Sequence, residues 1–435
     1  MKIECKNENY AATVVQINKL VELEGCDNVQ AAIIMGNQVI VSKDTKVGDI
    51  GLYFPLETQL SEKYLSSNNL YRKPELNIDS SKKGYFEENG RIRCVKFRGH
   101  KSEGLFMPID SLRFVFDNIG AVTIDYGKYF KLGDTFDNID GIEICKKYVI
   151  KERVSGEQNI PKSKKPKVER IIDTQFRFHQ DTSQLYKNLH KIQLDSLISV
   201  TYKIHGTSGI SSYVLVNKPL KWYEKLLRKI GVDIPTTMYD YIHSSRKVIK
   251  TELNASGGFY NEDIWGLAHN ELKEYLTKGM TIYYEIAGFL PSGKQIQKDY
   301  DYGAEQGKYK IFIYRITQTN VDGKVYEYSA KQVQQWAWAR GLVPVPELYY
   351  GTVIDFLGDF ALETVNNKEE EFYELLKHWF TEKQCFLCNN EVPEEGCVVR
   401  VEGLDFEAYK LKSNKFYERE TKLLDKGESD IESEN

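Results

Sequence analysis

The sequence is short of cysteine and proline, has no long apolar run and carries little net charge. Seven cysteines in 435 residues are an odd, sparse set that cannot be the disulfide framework of a small secreted domain. Most are expected as buried thiols. Only Cys385 and Cys388 have the C-x-x-C spacing of a zinc site. No second pair follows, the nearest candidate ligand is His378, and a closed site needs four ligands. With only 11 prolines, a collagen-like or proline-rich chain is excluded. No segment approaches the ~18 consecutive apolar residues that span a bilayer. The opening MKIECKNENY lacks the apolar stretch of a signal peptide, so a cytoplasmic protein without a membrane partner is expected. The 59 Lys+Arg nearly balance the 63 Asp+Glu, so no single-sign field dominates the chain.

What is present is a globular composition. Hydrophobic residues make up 41%, enough for two or three cores in a chain of this size and too many for disorder. The 29 Tyr and 20 Phe supply rings for packing and, where they reach a cleft, for stacking on bases. Charge is uneven locally. Residues 151–170 hold seven basic and three acidic groups, and 421–435 hold two basic and five acidic. The first reads as an exposed linker and the second as a frayed tail.

The pattern divides the chain into 1–150, a basic linker 151–172, a larger unit 173–420 and the acidic tail 421–435. In the first unit, short β-branched runs are punctuated by glycine: ATVVQINKL, then VQAAIIMGNQVIVS with a turn at Gly36-Asn37, then GDIGLYFPL, RIRCVKFRG and KSEGLFMPI. A small barrel fits them better than a βαβ unit. From 173 the segments are longer and mixed. DTSQLYKNLHKI (181–192) reads as a helix with Asp181 or Thr182 as N-cap. A strand through SLISVTYKIHG and helices through 218–231, 261–279, 329–342 and 367–380 follow, interleaved with strands at MTIYYEIAGF, KYKIFIYRITQ, EEGCVVRVEG and FEAYKLKS. The fold class is α+β.

One lysine stands out. In VTYKIHGTSG, Lys203 leaves an apolar strand at a glycine turn, which presents its amine at a cleft mouth. Alone this is a surface lysine before a turn, but five further segments weigh against that reading. SSRK (244–247), YYEIAG (283–288), KIFIYRI (310–316), EEGCVVR (394–400) and AYKLKS (408–413) succeed it in order. This succession resembles the motifs of the covalent nucleotidyltransferase superfamily of polynucleotide ligases and capping enzymes. Lys-Ile-His-Gly is specifically similar to RNA ligases. IRCVKFRGHKSEGLFMP (92–108), with the strand order around it, resembles the OB-like domain at the N-terminus of one group of them. The resemblance implies an OB-like barrel followed by a ligase-type nucleotidyltransferase (adenylation) domain.

What the resemblance implies for individual residues agrees with their chemistry. An amine that attacks phosphorus must be neutral, and nearby cations and burial favour that state. Lys203 is the implied nucleophile, with Lys410 and Lys412 as catalytic cations. Two apart on a strand, these share one face, with Leu411 turned to the core. ATP is the implied cofactor, bound by Lys203, Arg246, Glu285, Tyr314, Lys410 and Lys412. Tyr314 aligns with the aromatic that stacks on adenine, and Phe312 is its alternative. Mg²⁺ or Mn²⁺ is implied at Glu395, with Glu285 assisting and Glu394 turned away on the opposite face. RNA contacts are expected at Lys96, Arg98 and Lys101 of the barrel, beside Phe97 and His100, and at Ser208. Two departures stand against the pattern. Helix 218–231 intervenes before SSRK, as a lid, an RNA clamp or a packed amphipathic helix, and His205 replaces a carboxylate that could hold metal-bound water.

The expectation is therefore a monomeric ATP-dependent RNA ligase acting on 3′-OH and 5′-phosphate RNA ends in RNA repair, through a lysyl-AMP and an adenylylated RNA 5′-end. Two rivals remain. One is a DNA ligase or capping-type enzyme, which typically carries a C-terminal OB domain for which the residues after Lys412 are too few. The other is a non-catalytic RNA-binding protein of the same fold.

Overall fold

Alternating apolar and polar residues build the N-terminal part from short antiparallel strands. In the computed structural model, which describes residues 1–119, 124–149, 170–250, 262–364 and 367–426, Ala12–Gln16 pairs with Ile50–Phe54 and Thr135–Phe136, and Ile50–Phe54 pairs with Leu105–Pro108. Leu20–Glu22, Val29–Ile34 and Asn37–Ser42 form a second sheet. Alternate residues face inward: Ala12, Val14, Leu52, Phe54 and Phe136 fill one core, and Ala32, Val39, Val41, Tyr53 and Phe106 another. The hairpin turn lies at Met35 and Gly36, with φ of 52° and 73°, as a two-residue turn of the primed type requires. It sits one residue earlier than expected because Asn37 already pairs with Ile34. Gly36 is doubly constrained, since a Cβ there would meet the Tyr373 ring at 2.5 Å.

The expected strand over 91–99 is shorter than predicted. Only Val95–Phe97 is strand; it turns back at Arg98 and Gly99 to pair with His100–Ser102.

The second part is built on two sheets. One runs in the order Ser183–Gln184, Glu407–Lys412, Gly396–Val401, Leu197–Tyr202, Glu347–Thr352. The other runs Thr237–Ser245, Thr207–Asn217, Met280–Gly288, Tyr309–Thr319, Val325–Glu327, with Val343–Pro344 beside Tyr309–Thr319. Residues 203–206 cross from the first sheet to the second. Helix Lys368–Phe380 covers the back of the first sheet through Phe372, Tyr373 and Leu376. Helices Ile264–Leu272 and Ala330–Trp338 cover the second through Trp265, Ala268, Val333 and Trp336. No helix among the described residues is long and apolar enough to cross a membrane.

Three expectations meet corrections. The helix at 181–192 shrinks to Leu185–Asn188, continued by a 3-10 turn at Leu189–Lys191. Ser183–Gln184 is claimed instead by parallel pairing with Tyr409–Lys410, so Gln184 takes the cap position and Asp181 is free to bind Arg246. Helix Asn414–Asp425 runs past the expected start of the acidic tail, held by burial of Phe416 and Thr421; residues 427–435 lie outside the described residues. Helix Trp222–Lys229 forms, but it is not a packed amphipathic helix. Trp222 is 78% exposed, Leu226 55% and Ile230 71%. The linker at 151–169, with Pro161 and Pro166, lies outside the described residues.

Helix Asn414–Asp425 also seats the barrel. Arg91, its side chain 1% exposed, pairs through two nitrogens with Glu57 at 2.8 and 2.9 Å and reaches Asp425 at 3.3 Å. Removing one partner of a buried, doubly bonded ion pair leaves an uncompensated charge. Arg91→Ala should therefore cost about 3–5 kcal/mol of unfolding free energy in urea; a loss below about 1 kcal/mol would contradict this role for the pair.

Candidate active site

The period of two along the first sheet decides which side chains meet. Ser199 and Thr201, Val398 and Arg400, and Ala408, Lys410 and Lys412 point to one side and line a cleft of about 900 Å³. Val200, Val399, Tyr409 and Leu411 point the other way, into the core. The opposite wall comes from the second sheet: Ser208, Arg246, Glu285 and Tyr314 line the same cleft. Lys203, in the crossing between the sheets, lies where both walls converge.

Every residue expected to bind ATP is therefore in one cavity: Lys203, Arg246, Glu285, Tyr314, Lys410 and Lys412. Ser208 is there as well, but it hydrogen-bonds the Glu285 carboxylate. Beneath Lys203 sits Glu395, its side chain fully buried, with Lys203 Nζ at 2.8 Å and Lys412 Nζ at 3.2 Å from Oε1. Lys412 also lies 3.6 Å from Glu420 on helix Asn414–Asp425. Arg246 grips Asp181 through Nε at 3.1 Å and Nη2 at 2.6 Å.

Tyr314 reaches the cleft through a bulge. The register of Met280–Gly288 with Tyr309–Thr319 shifts between Tyr283, opposite Arg315, and Tyr284, opposite Ile313. Tyr314 is thus the extra residue, and bulges re-aim side chains. Its hydroxyl lies 2.7 Å from His179 Nδ1. Burial, and next the Glu285 charge, push the Tyr314 hydroxyl well above its usual range, so it stays neutral. Phe312, paired with Glu285, instead packs in the core 5.8 Å from Tyr302.

His205 stands outside the polar cluster. Its ring is packed edge-on between Tyr300 and Phe416, both at 4.8 Å, and its backbone N–H donates to the Tyr302 hydroxyl at 2.6 Å. Its Nδ1 comes only within 3.9 Å of Glu395. Carboxylates at Glu285 and Glu395 fit a hard cation, which Mg²⁺ sites commonly hold with one or two carboxylates, water and substrate phosphates. No group of three metal-ligating side chains occurs among the described residues, so the protein supplies only part of such a shell.

The barrel residues are engaged differently. Lys96 lies 2.9 Å from Glu418, and Lys101 lies 3.3 Å from Glu418 and 3.5 Å from Glu382. Arg98 donates to the Gly25 carbonyl, and His100 Nε2 is 2.9 Å from the Glu24 carbonyl. None of these lines the cleft.

Residues 11–109 match a family model described as an OB-fold domain. Most of the chain superposes on Naegleria gruberi RNA ligase. A lysine-to-alanine mutant of that ligase with ATP and manganese aligns over 94% of this chain and 98% of its own, at 17% identity and a TM-score of 0.57. A glutamate-to-alanine mutant with AMP and manganese gives 95%, 99%, 16% and 0.54, and the ligase with PPi gives 96%, 99%, 14% and 0.53. The chain has the RNA ligase fold, with an N-terminal OB domain. No curated protein sequence matches it.

Arg400, Phe406 and His179 are among the cleft residues that sequence reasoning passed over. Arg400 was legible, since it is two residues from Val398 on the lysine-facing side. Phe406, held 4.1 Å from the Arg315 guanidinium and 5.4 Å from that of Arg400, and His179 lie in irregular segments where no period marks a face.

Glu394, the neighbour of Glu395, accepts the Lys383 backbone N–H at 3.0 Å. Burial pushes its carboxyl from its ordinary 4.5 up to about 7. Between those values the folded protein holds a proton that the unfolded chain has lost, so stability falls as pH rises through that window. Glu394→Gln should flatten this decline in urea melts from pH 4.5 to 7. An unchanged slope would remove Glu394 as its source.

Proposed function

We propose that the protein is an ATP-dependent RNA ligase that joins RNA 3′-OH and 5′-phosphate ends through a lysyl-AMP on Lys203. The observation that carries this reading is the convergence of Lys203, Lys410, Lys412, Arg246, Glu285 and Tyr314 on one cleft between two sheets. The fold shared with an RNA ligase seen with ATP, AMP and PPi supports it.

Lys203 Nζ attacks the α-phosphorus of ATP, forming an N–P bond as pyrophosphate leaves. The attacking amine must be neutral. Lys412 shares the Glu395 carboxylate with Lys203, and two cations on one counter-charge favour loss of a proton from one of them. Lys410 and Lys412, aimed into the cleft, stabilise the charge on phosphate oxygens. Glu285, oriented by Ser208, faces the ribose; Arg246, now on Asp181, is the guanidinium for phosphate or ribose. Tyr314 stacks on adenine. The AMP then passes to an RNA 5′-phosphate, and attack by the 3′-OH releases it. Glu395 and Glu285 would hold Mg²⁺ or Mn²⁺, which when bound neutralises phosphate charge.

The barrel grips the RNA. Beside Phe97, a groove of about 1100 Å³ is lined by Tyr85, 56% exposed, Val95 and Arg93, rings and a cation suited to unpaired bases and phosphates. Lys96 and Lys101 would have to exchange Glu418 and Glu382 for RNA phosphates, which makes sealing salt-sensitive.

Incubation with α-labelled ATP and Mg²⁺ followed by a denaturing gel tests the class. A band at the mass of the chain, absent from Lys203→Ala, is expected. Equal labelling from GTP would point to a capping-type enzyme, and no band at all would contradict the reading. Tyr314→Phe should keep most labelling. Tyr314→Ala should weaken ATP use by about 1–3 kcal/mol, the range for base–aromatic stacking; unchanged ATP dependence would remove Tyr314 from the base site.

A further inference from the structure

The Cys385–Cys388 pair is a motif that the ligase reading leaves unused. It is not a zinc site among the described residues: no cluster of three ligating side chains is present, and His378 lies edge-on against Trp379 at 5.3 Å. The two cysteines instead close a turn. The Cys388 N–H donates to the Cys385 carbonyl at 3.4 Å over Phe386 and Leu387, and the Cys385 N–H donates to Val392 at 2.8 Å. A turn of four residues keeps its end Cα atoms within ~7 Å, which overlaps the ~4.4–6.8 Å that a disulfide spans.

The chemistry of the pair differs from that of the other buried thiols. Burial pushes Cys94 and Cys145 up to about 12. Interaction with the Cys388 thiol holds the Cys385 thiol below its ordinary value despite its burial, while Cys388 is raised by the same interaction. Access comes through the turn: Cys388 is half-buried and Phe386 is 62% exposed. Both cysteines are free thiols.

The position of the pair gives it a route to the cleft. Tyr202, 2% exposed, has the Phe386 ring edge-on at 4.8 Å. It is the residue before Lys203.

We propose that Cys385 and Cys388 form a reversible dithiol–disulfide site, oxidised by hydroperoxides, which acts on Lys203 through Tyr202. The Cys385 thiolate takes one oxygen from the hydroperoxide, whose O–O bond breaks to leave an alcohol, or water from hydrogen peroxide, and becomes a sulfenic acid. The Cys388 thiol then attacks that sulfur. The S–S bond forms as the S–O bond breaks, and the hydroxyl leaves as water with the thiol proton. Two thiols lose two electrons and the peroxide gains them. Intracellular disulfides of this kind are usually transient or redox-sensing. Closing the disulfide reshapes the turn that carries Phe386, whose ring packs edge-on against Tyr202. The strand end carrying Lys203 then shifts. This last link rests on the ligase reading; the disulfide itself does not.

The full-length protein is treated with hydrogen peroxide, its remaining thiols are trapped with N-ethylmaleimide after denaturation, and its peptides are weighed. A Cys385–Cys388 peptide lighter by two hydrogens, formed before Cys5 is lost and reversed by dithiothreitol, is the expected result. Full alkylation of both cysteines while exposed Cys5 oxidises would overturn the site. In parallel, AMP labelling of the oxidised protein should fall several-fold and recover with dithiothreitol, and a Cys385→Ser, Cys388→Ser protein should label at the reduced rate with or without peroxide. A disulfide that leaves labelling unchanged would overturn the link to Lys203. A reduced protein that never labels, while the disulfide still forms, would overturn the ligase reading and leave the dithiol site standing.

Discussion

A fully buried carboxylate, Glu395, with two ammonium groups on one of its oxygens, is the interaction on which the site depends. A carboxylate removed from water is costly unless it is paired. Lys203 arrives from the crossing between the sheets and Lys412 from the neighbouring strand, so the pairing ties together the end of strand Leu197–Tyr202, the start of Gly396–Val401 and the end of Glu407–Lys412. Backbone bonds repeat the connection: Lys203 N–H donates to Gly396, and Ser413 N–H to Glu395, both at 2.9 Å.

From that junction the two sheets divide the work. The first contributes cations on one face of adjacent strands, where a period of two aligns them without any loop. The second contributes a carboxylate, a guanidinium and an aromatic ring, the last delivered by a bulge. The C-terminal helix connects both to the barrel. It carries Glu420 toward Lys412, Glu418 toward Lys96 and Lys101, and Asp425 toward Arg91 and Arg93. Competition for Glu418 by a polyanion would therefore be felt on the helix that also contacts Lys412.

Much of this was legible in the residues. Strand alternation placed Lys410 and Lys412 together, and the glycine turn after Lys203 put its amine at an edge. The order of motifs pointed to Glu285 and Tyr314, on separate strands, and to Arg246, just past the end of a third, which only the fold brings to one cleft. What local pattern missed was set by tertiary contacts. Pairing of Ser183–Gln184 with Tyr409–Lys410 displaced the expected cap at Asp181. The barrel lysines looked available for RNA because nothing local shows Glu382 and Glu418, far along the chain, facing them. His205 looked like a replaced ligand, yet the aromatic cage of Tyr300 and Phe416 holds it.

The central claim is that the amine held over Glu395 becomes covalently bonded to AMP. Peptide mapping by mass spectrometry after reaction with ATP and Mg²⁺ reads this directly, since the phosphoramidate marks one lysine. AMP on the peptide containing Lys203 is the expected result. AMP on Lys410, Lys412 or any other residue, with Lys203 unmodified, would contradict it.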